Sequence, residues 1–285
     1  MHDINPFFNR MGEENAFAVL ARATQLAAEG RDIINLGIGQ PDFATPAHIV
    51  EAAVKALRDG AHGYTPANGL LATREAVSRR IHALTGADVS PESIMITPGG
   101  KPAMFAAILM FGAPGAEILY PDPGFPIYRS MIEATGATPV PVPMRAENGF
   151  AVSADEVASL ITDRTRLLIV NSPGNPTGGV TPPAEIEKLA ALLDRHPDIA
   201  ILSDEIYDVM TYDGEAHTSL LEFDGLRDRL IVLNGWSKTW AMTGWRLGWS
   251  VWPEPLYNAV RKLAVNCWSC VNAAAQHAGI AAIYG

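Results

Sequence analysis

Short apolar runs alternate with longer amphipathic stretches along this chain, and the alternation predicts its architecture. Seven runs read as strands: Ser93–Thr97, Glu117–Tyr120, Thr138–Val142, Arg166–Asn171, Ala200–Ser203, Arg229–Leu233 and Leu247–Val251. Helical patterns intervene at 101–111, 125–135, 154–162 and 183–195. Upstream, residues 13–29 are rich in Ala, Leu and Glu and stop at Gly30, which predicts a helix with a glycine end. Two more helices fit 47–59 and 71–85, joined by the polar turn Tyr64-Thr65-Pro66-Ala67-Asn68-Gly69. The strand runs lack polar alternation, so each is expected to be covered on both faces. The predicted fold is α/β, a three-layer domain around a mostly parallel seven-stranded sheet.

Composition narrows the partners. An apolar fraction of 48% with 18% charged residues suits a globular protein with a large core. A net charge of -10 argues against nucleic acid. No apolar run is long enough to span a membrane, and Met1-His2-Asp3-Ile4-Asn5 lacks a signal-peptide pattern, so a cytoplasmic protein is expected. The two cysteines, Cys267 and Cys270, form a lone C-x-x-C without a second pair. They are expected to be reduced residues in a packed segment, and no metal site is predicted.

In parallel sheets ligands gather at the carboxyl ends of the strands, so the residues just after each run carry the candidate chemistry. Pro98-Gly99-Gly100-Lys101 opens a helix, where glycine-freed amides suit a phosphate, although a plain helix start reads the same. Phe125 stands alone in Pro121-Asp122-Pro123-Gly124-Phe125-Pro126, either to stack on a flat ring or to fill core. Asn175 sits at the tip of a rigid turn. Asp204 emerges from an apolar strand, which is costly without a partner; the alternative is a helix N-cap. Lys238 lies among small and aromatic residues in Asn234-Gly235-Trp236-Ser237-Lys238-Thr239-Trp240, with Arg246 eight residues on. Lost hydration there favours a neutral, nucleophilic amine of the kind that forms Schiff bases, although a lysine after a strand is also the ordinary place for a surface charge.

Taken in order, Asn175-Pro176-Thr177-Gly178, Asp204-Glu205-Ile206-Tyr207 and Ser237-Lys238-Thr239 with Arg246 resemble the class I/II aminotransferase family of fold-type I pyridoxal-phosphate enzymes. The resemblance covers nearly the whole chain. It implies pyridoxal 5'-phosphate as cofactor, held as a Schiff base by Lys238, which also moves the proton at the substrate carbon. It implies Asp204 against the pyridine nitrogen, Asn175 and Tyr207 on the ring 3-oxygen, and Phe125 stacked on the ring. The phosphate would sit on Gly99, Gly100, Lys101, Ser237 and Arg246. Tyr64 would reach the neighbouring subunit's phosphate in a homodimer, and Gly39 would lie over the substrate, beside Asn175. The implied activity is amino transfer between an amino acid and a 2-oxo acid; alternatives are a carbon–sulfur lyase of the same fold or a non-catalytic remnant.

Two departures from the family pattern stand out. Gly235 replaces a hydroxyl residue found in many relatives three positions before the lysine. No arginine follows for the substrate α-carboxylate, because the sequence ends at Ala281-Ala282-Ile283-Tyr284-Gly285 in a helix-like stretch. A C-terminally truncated sequence is therefore expected, with residues 1–45 an arm and small-domain contribution, 46–285 the cofactor-binding large domain, and the small domain largely missing.

Overall fold

Runs rich in Val, Ile and Leu make most of one seven-stranded sheet, because neither face of such a run can be left in water. The computed structural model describes residues 3–12 and 16–285. The strands are β1 (Ile94–Thr97), β2 (Glu117–Asp122), β3 (Thr138–Pro143), β4 (Thr165–Asn171), β5 (Ala200–Asp204), β6 (Leu230–Gly235) and β7 (Gly248–Val251). Their spatial order is β1-β7-β6-β5-β4-β2-β3. All neighbours from β6 to β3 run parallel, and β7 lies antiparallel between β1 and β6. The mostly parallel seven-stranded sheet is as expected, with every strand displaced from its predicted bounds by at most two residues.

Successive strand side chains leave the sheet on opposite faces. Leu168 and Val170 of β4 join one apolar core, while Leu167 and Ile169 join the other. The first core is closed by α3 (Ala47–Arg58), α4 (Leu71–Thr85), α7 (Ala154–Leu160), α8 (Pro183–Asp194) and α10 (Ala273–Tyr284). The second is closed by α5 (Lys101–Phe111), α6 (Ile127–Thr135) and α9 (Glu254–Cys267). Each fully buried Ile or Leu contributes about 1.5–3 kcal/mol. Two buried faces explain the runs of six strands; β3, at the sheet edge, corrects the expectation, since only its Val142 is buried and its other residues are exposed or half-buried.

Two elements lie ahead of this frame. The short α1 (Pro6–Arg10) packs on α6, where Arg10 donates to the carbonyls of Glu133 and Ala134 at the C-terminal end. The helix expected over 13–29 is α2 (Ala16–Ala28); residues 13–15 lie outside the described residues. Sequence reasoning did not predict α9, although Pro255 in its first turn and the buried Val260 and Ala264 at helical spacing were available signals. At its C-terminus Cys267 is exposed and Cys270 half-buried, both free, which corrects the expectation that both pack inside. Among the described residues no cluster of potential metal ligands forms, and no helix is long and apolar enough to cross a membrane.

The fully buried Gln276 of α10 ties down the predicted polar turn at 64–69. Its amide accepts from the backbone N–H of Leu70 at 2.7 Å and donates to Thr65 Oγ1 at 3.1 Å.

Candidate active site

Register brings the strand ends together. Asn171 pairs with Asp204 across β4 and β5, Asp204 with Leu233 across β5 and β6, and Gly235 with Gly248 across β6 and β7. Gly248 in turn faces Thr97 of β1. The turns carrying Asn175, Tyr207, Lys238 and Gly99 therefore leave the sheet side by side.

Asp204 is the buried charge of this edge. The Tyr128 hydroxyl donates to its Oδ2 at 2.7 Å, and the Ile206 N–H donates to Oδ1 at 3.3 Å. Burial pushes its carboxyl up to about 6, against the pull of those two donors, with the neighbouring Glu205 pushing in the same direction as burial. No helix begins there, so the N-cap alternative is excluded. The half-buried Tyr207 feels the same surroundings: burial first, then the Asp204 charge, raise its phenol to about 12. Asn171 braces the edge, donating to the Asp204 carbonyl at 3.0 Å and accepting from the Asn175 N–H at 2.8 Å.

Lys238 sits half-buried in the turn after β6, and its Nζ contacts the carbonyl oxygen of Gly39. The turn is anchored on both sides of the lysine. Trp236, fully buried, donates from Nε1 to the Gly279 carbonyl at 2.9 Å. A Cβ on Gly279 would come within 2.5 Å of Leu247 and 3.0 Å of Trp236, which is why a glycine stands inside α10. On the other side the Arg80 guanidinium lies 5.1 Å from the Trp240 ring centroid. Arg80 also grips Asp208 through two bonds of 2.7 and 3.0 Å, and Asp208 accepts from Asn234 Nδ2 at 2.8 Å. One buried ion pair thus joins α4 to both active-site turns.

Two non-glycine residues between Lys238 and β7, Ala241 and Arg246, hold left-handed backbone at φ 51° and 52°. Such conformations cost about 1–2 kcal/mol each and persist only where the surroundings enforce them. Thr45 supplies part of that enforcement, donating to the Ala241 carbonyl at 2.6 Å. The Arg246 side chain lies against Gly99, itself at φ 88°: a Cβ there would fall 2.3 Å from Arg246 Nη2. Gly100 caps α5 without any side-chain bond to its first amides. A guanidinium and open helix-start amides meet at a place kept clear by glycine, which is an anion cradle. Gly235, the departure from the family pattern, is explained by crowding: a Cβ would lie 3.1 Å from both Gly248 Cα and the Leu247 carbonyl oxygen.

Phe125 is half-buried, with Lys101 Nζ 5.3 Å from its ring centroid and the Tyr128 ring 5.7 Å away, edge to face. Ser237 is half-buried beside the lysine. Tyr64 alone stands apart at 95% exposed. A cleft of about 680 Å³ borders the turn between Ala241 and Trp245 and runs to Phe43 and Leu57; Asp204 and Lys238 do not line it.

The model of aminotransferase class I and II matches residues 31–284. The chain belongs to this family. It is 36% identical over 280 residues to a bifunctional aspartate and glutamate/aspartate-prephenate aminotransferase of Petunia hybrida, covering 98% of this chain and 58% of that protein. It is 40% identical to an arginine–pyruvate transaminase of Pseudomonas aeruginosa, over 91% of this chain and 66% of the relative. The solved aspartate aminotransferase of Thermus thermophilus with maleate superposes with a TM-score of 0.94 at 35% identity, over 99% of this chain and 73% of that one. The chain thus spans 58% to 73% of the length of these three proteins.

Class I and II aminotransferases use pyridoxal 5'-phosphate, a flat ring carrying an aldehyde, a basic nitrogen and a phosphate. The residues present fit it: the glycine-cleared cradle backed by Arg246 suits the phosphate, and a buried carboxylate with no cationic partner among the described residues suits a protonated nitrogen. Sequence reasoning missed Tyr128, Asn171, Arg80 and Asp208. For Tyr128 the one available signal was its position three residues after Phe125, at the start of a helix.

Proposed function

We propose that this chain carries the cofactor-binding part of an aminotransferase, which moves an amino group between an amino acid and a 2-oxo acid. The observation that carries the proposal is the meeting of Lys238, Asp204 and the Gly99–Arg246 cradle at adjoining strand ends. When bound, pyridoxal phosphate supplies an aldehyde that captures amines and a ring that takes up electrons released from the substrate carbon.

The chain's own residues do the rest. Lys238 Nζ is the covalent attachment point and then carries the proton at the substrate Cα. The Asp204 carboxylate holds a proton on the ring nitrogen. Tyr207 and Asn175 bind the ring oxygen, and Phe125 covers one ring face. Arg246, Ser237 and the amides of Gly99, Gly100 and Lys101 bind the phosphate. Gly39, in contact with the lysine, borders the substrate. The three quoted relatives are all named as amino-transferring enzymes, which supports transfer over carbon–sulfur elimination.

The same proposal makes the protein a homodimer, supported by a Tyr64 that lies open to a partner subunit. It assigns residues 46–285 to the cofactor domain and 1–45 to an arm whose Ile34 and Leu36 are 85% and 90% exposed.

The test is incubation with pyridoxal phosphate, borohydride reduction, intact mass and peptide mapping. The expected result is one permanent adduct confined to Lys238, lost together with turnover in Lys238→Ala. No adduct, or one spread over Lys55, Lys101, Lys188, Lys238 and Lys262, overturns the assignment.

A further inference from the structure

Tyr128 is fully buried at the start of α6, and it touches two of the groups on which the proposed function rests. Its hydroxyl is 2.7 Å from Asp204 Oδ2, and its ring stands at 85° to the Phe125 ring with centroids 5.7 Å apart. We propose that Tyr128 is a positioning residue of this site: its hydroxyl keeps the Asp204 carboxylate ionised and oriented, while its ring edge fixes the plane of Phe125. The inference rests on the functional assignment of Asp204, yet the contact can be tested without cofactor.

Three groups bear on the Asp204 carboxylate, and a fourth responds to it. Tyr128 and the Ile206 N–H donate to it, while the Glu205 charge opposes its ionisation, and Tyr207 is in turn affected by it. Among the described residues Tyr128 is the one side-chain donor that the geometry places on a carboxylate oxygen of Asp204. A phenol suits the task because it stays protonated. Burial first, then the Asp204 charge and hydrogen bond, push it well above its ordinary value, so the hydroxyl keeps its proton through neutral pH. An apolar ring in its place fills the same space and leaves the carboxylate with the Ile206 amide.

The experiment is a carboxyl 13C NMR titration of the full cofactor-free chain, with Asp204 assigned by its loss in Asp204→Asn. The wild-type midpoint is expected near 6. Tyr128→Phe keeps the ring contact, removes the donor, and is expected to raise the midpoint by about one to two pH units. If that variant does not fold, Tyr128→3-fluorotyrosine retains the hydroxyl as a stronger donor, and the midpoint is expected to fall. An unmoved midpoint in a cooperatively folded variant overturns the proposal, because a merely space-filling Tyr128 leaves the titration unchanged. Failure of the Lys238 adduct would remove the functional assignment and leave this titration standing, so the two failures are distinguishable.

Discussion

Asp208→Asn tests whether one buried ion pair holds the active-site turns together. Asp208 accepts two bonds from Arg80 and one from Asn234, and both charged side chains are 8% exposed. Asparagine keeps the shape, but turns one acceptor into a donor and leaves the guanidinium without a counter-charge. Removing one partner of a buried pair costs about 3–5 kcal/mol. A cavity of about 320 Å³ borders both residues, and water there partly solvates the orphaned charge, so the low end, about 3 kcal/mol, is expected. The assay is urea unfolding of the full chain, together with Arg80→Met, Asp208→Leu and their combination. Removing both charges should cost about 2 kcal/mol less than the two single losses added together, because the second removal relieves the first. Asn234 and Trp240 lie on either side of Lys238, so Asp208→Asn should also lower the adduct yield at limiting cofactor. Additive costs, or an Asp208→Asn variant within about 1 kcal/mol of wild type, refute the coupling.

Two further outcomes follow from the same edge. Asp204 is an acid whose native pKa is raised from 3.8 to about 6, so its contribution to stability is greatest below 3.8 and is lost as pH rises toward 6. Asp204→Asn should therefore stabilise the cofactor-free chain at pH 7 by up to about 3 kcal/mol and leave it unchanged near pH 3.5, as read by thermal unfolding at both values. Gly248→Ala places a Cβ 2.4 Å from the Gly99 carbonyl carbon, a backbone clash that no side-chain motion relieves. It should destabilise by about 3 kcal/mol and weaken phosphate-dependent cofactor binding; unfolding and binding titrations that match wild type would disprove the crowding.

The fold was legible because its signals were strong and redundant. Six strands are buried on both faces, as runs without polar alternation should be, β3 at the edge is not, and sequence spacing alone located all seven to within two residues. Asp204, Lys238 and Arg246 were legible for the opposite reason, since each breaks the local pattern. What escaped notice was whatever kept to its pattern. Tyr128 sits among apolar residues of an amphipathic helix and reads as core until its hydroxyl is seen to meet a carboxylate 76 positions away. Arg80 and Asp208, 128 positions apart, each read as an ordinary surface charge. Helix α9 escaped because its buried stripe is thin.

Two adjacent buried carboxylates show how the chain separates structure from chemistry. Burial pushes Glu205 up as it does Asp204, but the His217 imidazole, 3.2 Å away, and hydrogen bonds donated by Ser203 and Ser219 bring it below its ordinary value. That carboxylate is satisfied within the fold, and its charge is already spoken for by His217. Asp204 has a phenol and one amide, which do not offset its burial, so the net displacement is upward. A fold selected for stability alone would treat the two alike, since an unpaired buried charge is among the costliest things a protein can hold. Asp204 lies where the β4, β5 and β6 turns converge, beside a lysine and an anion cradle. Environments that drive neighbouring acids in opposite directions mark which of them is reserved for a ligand.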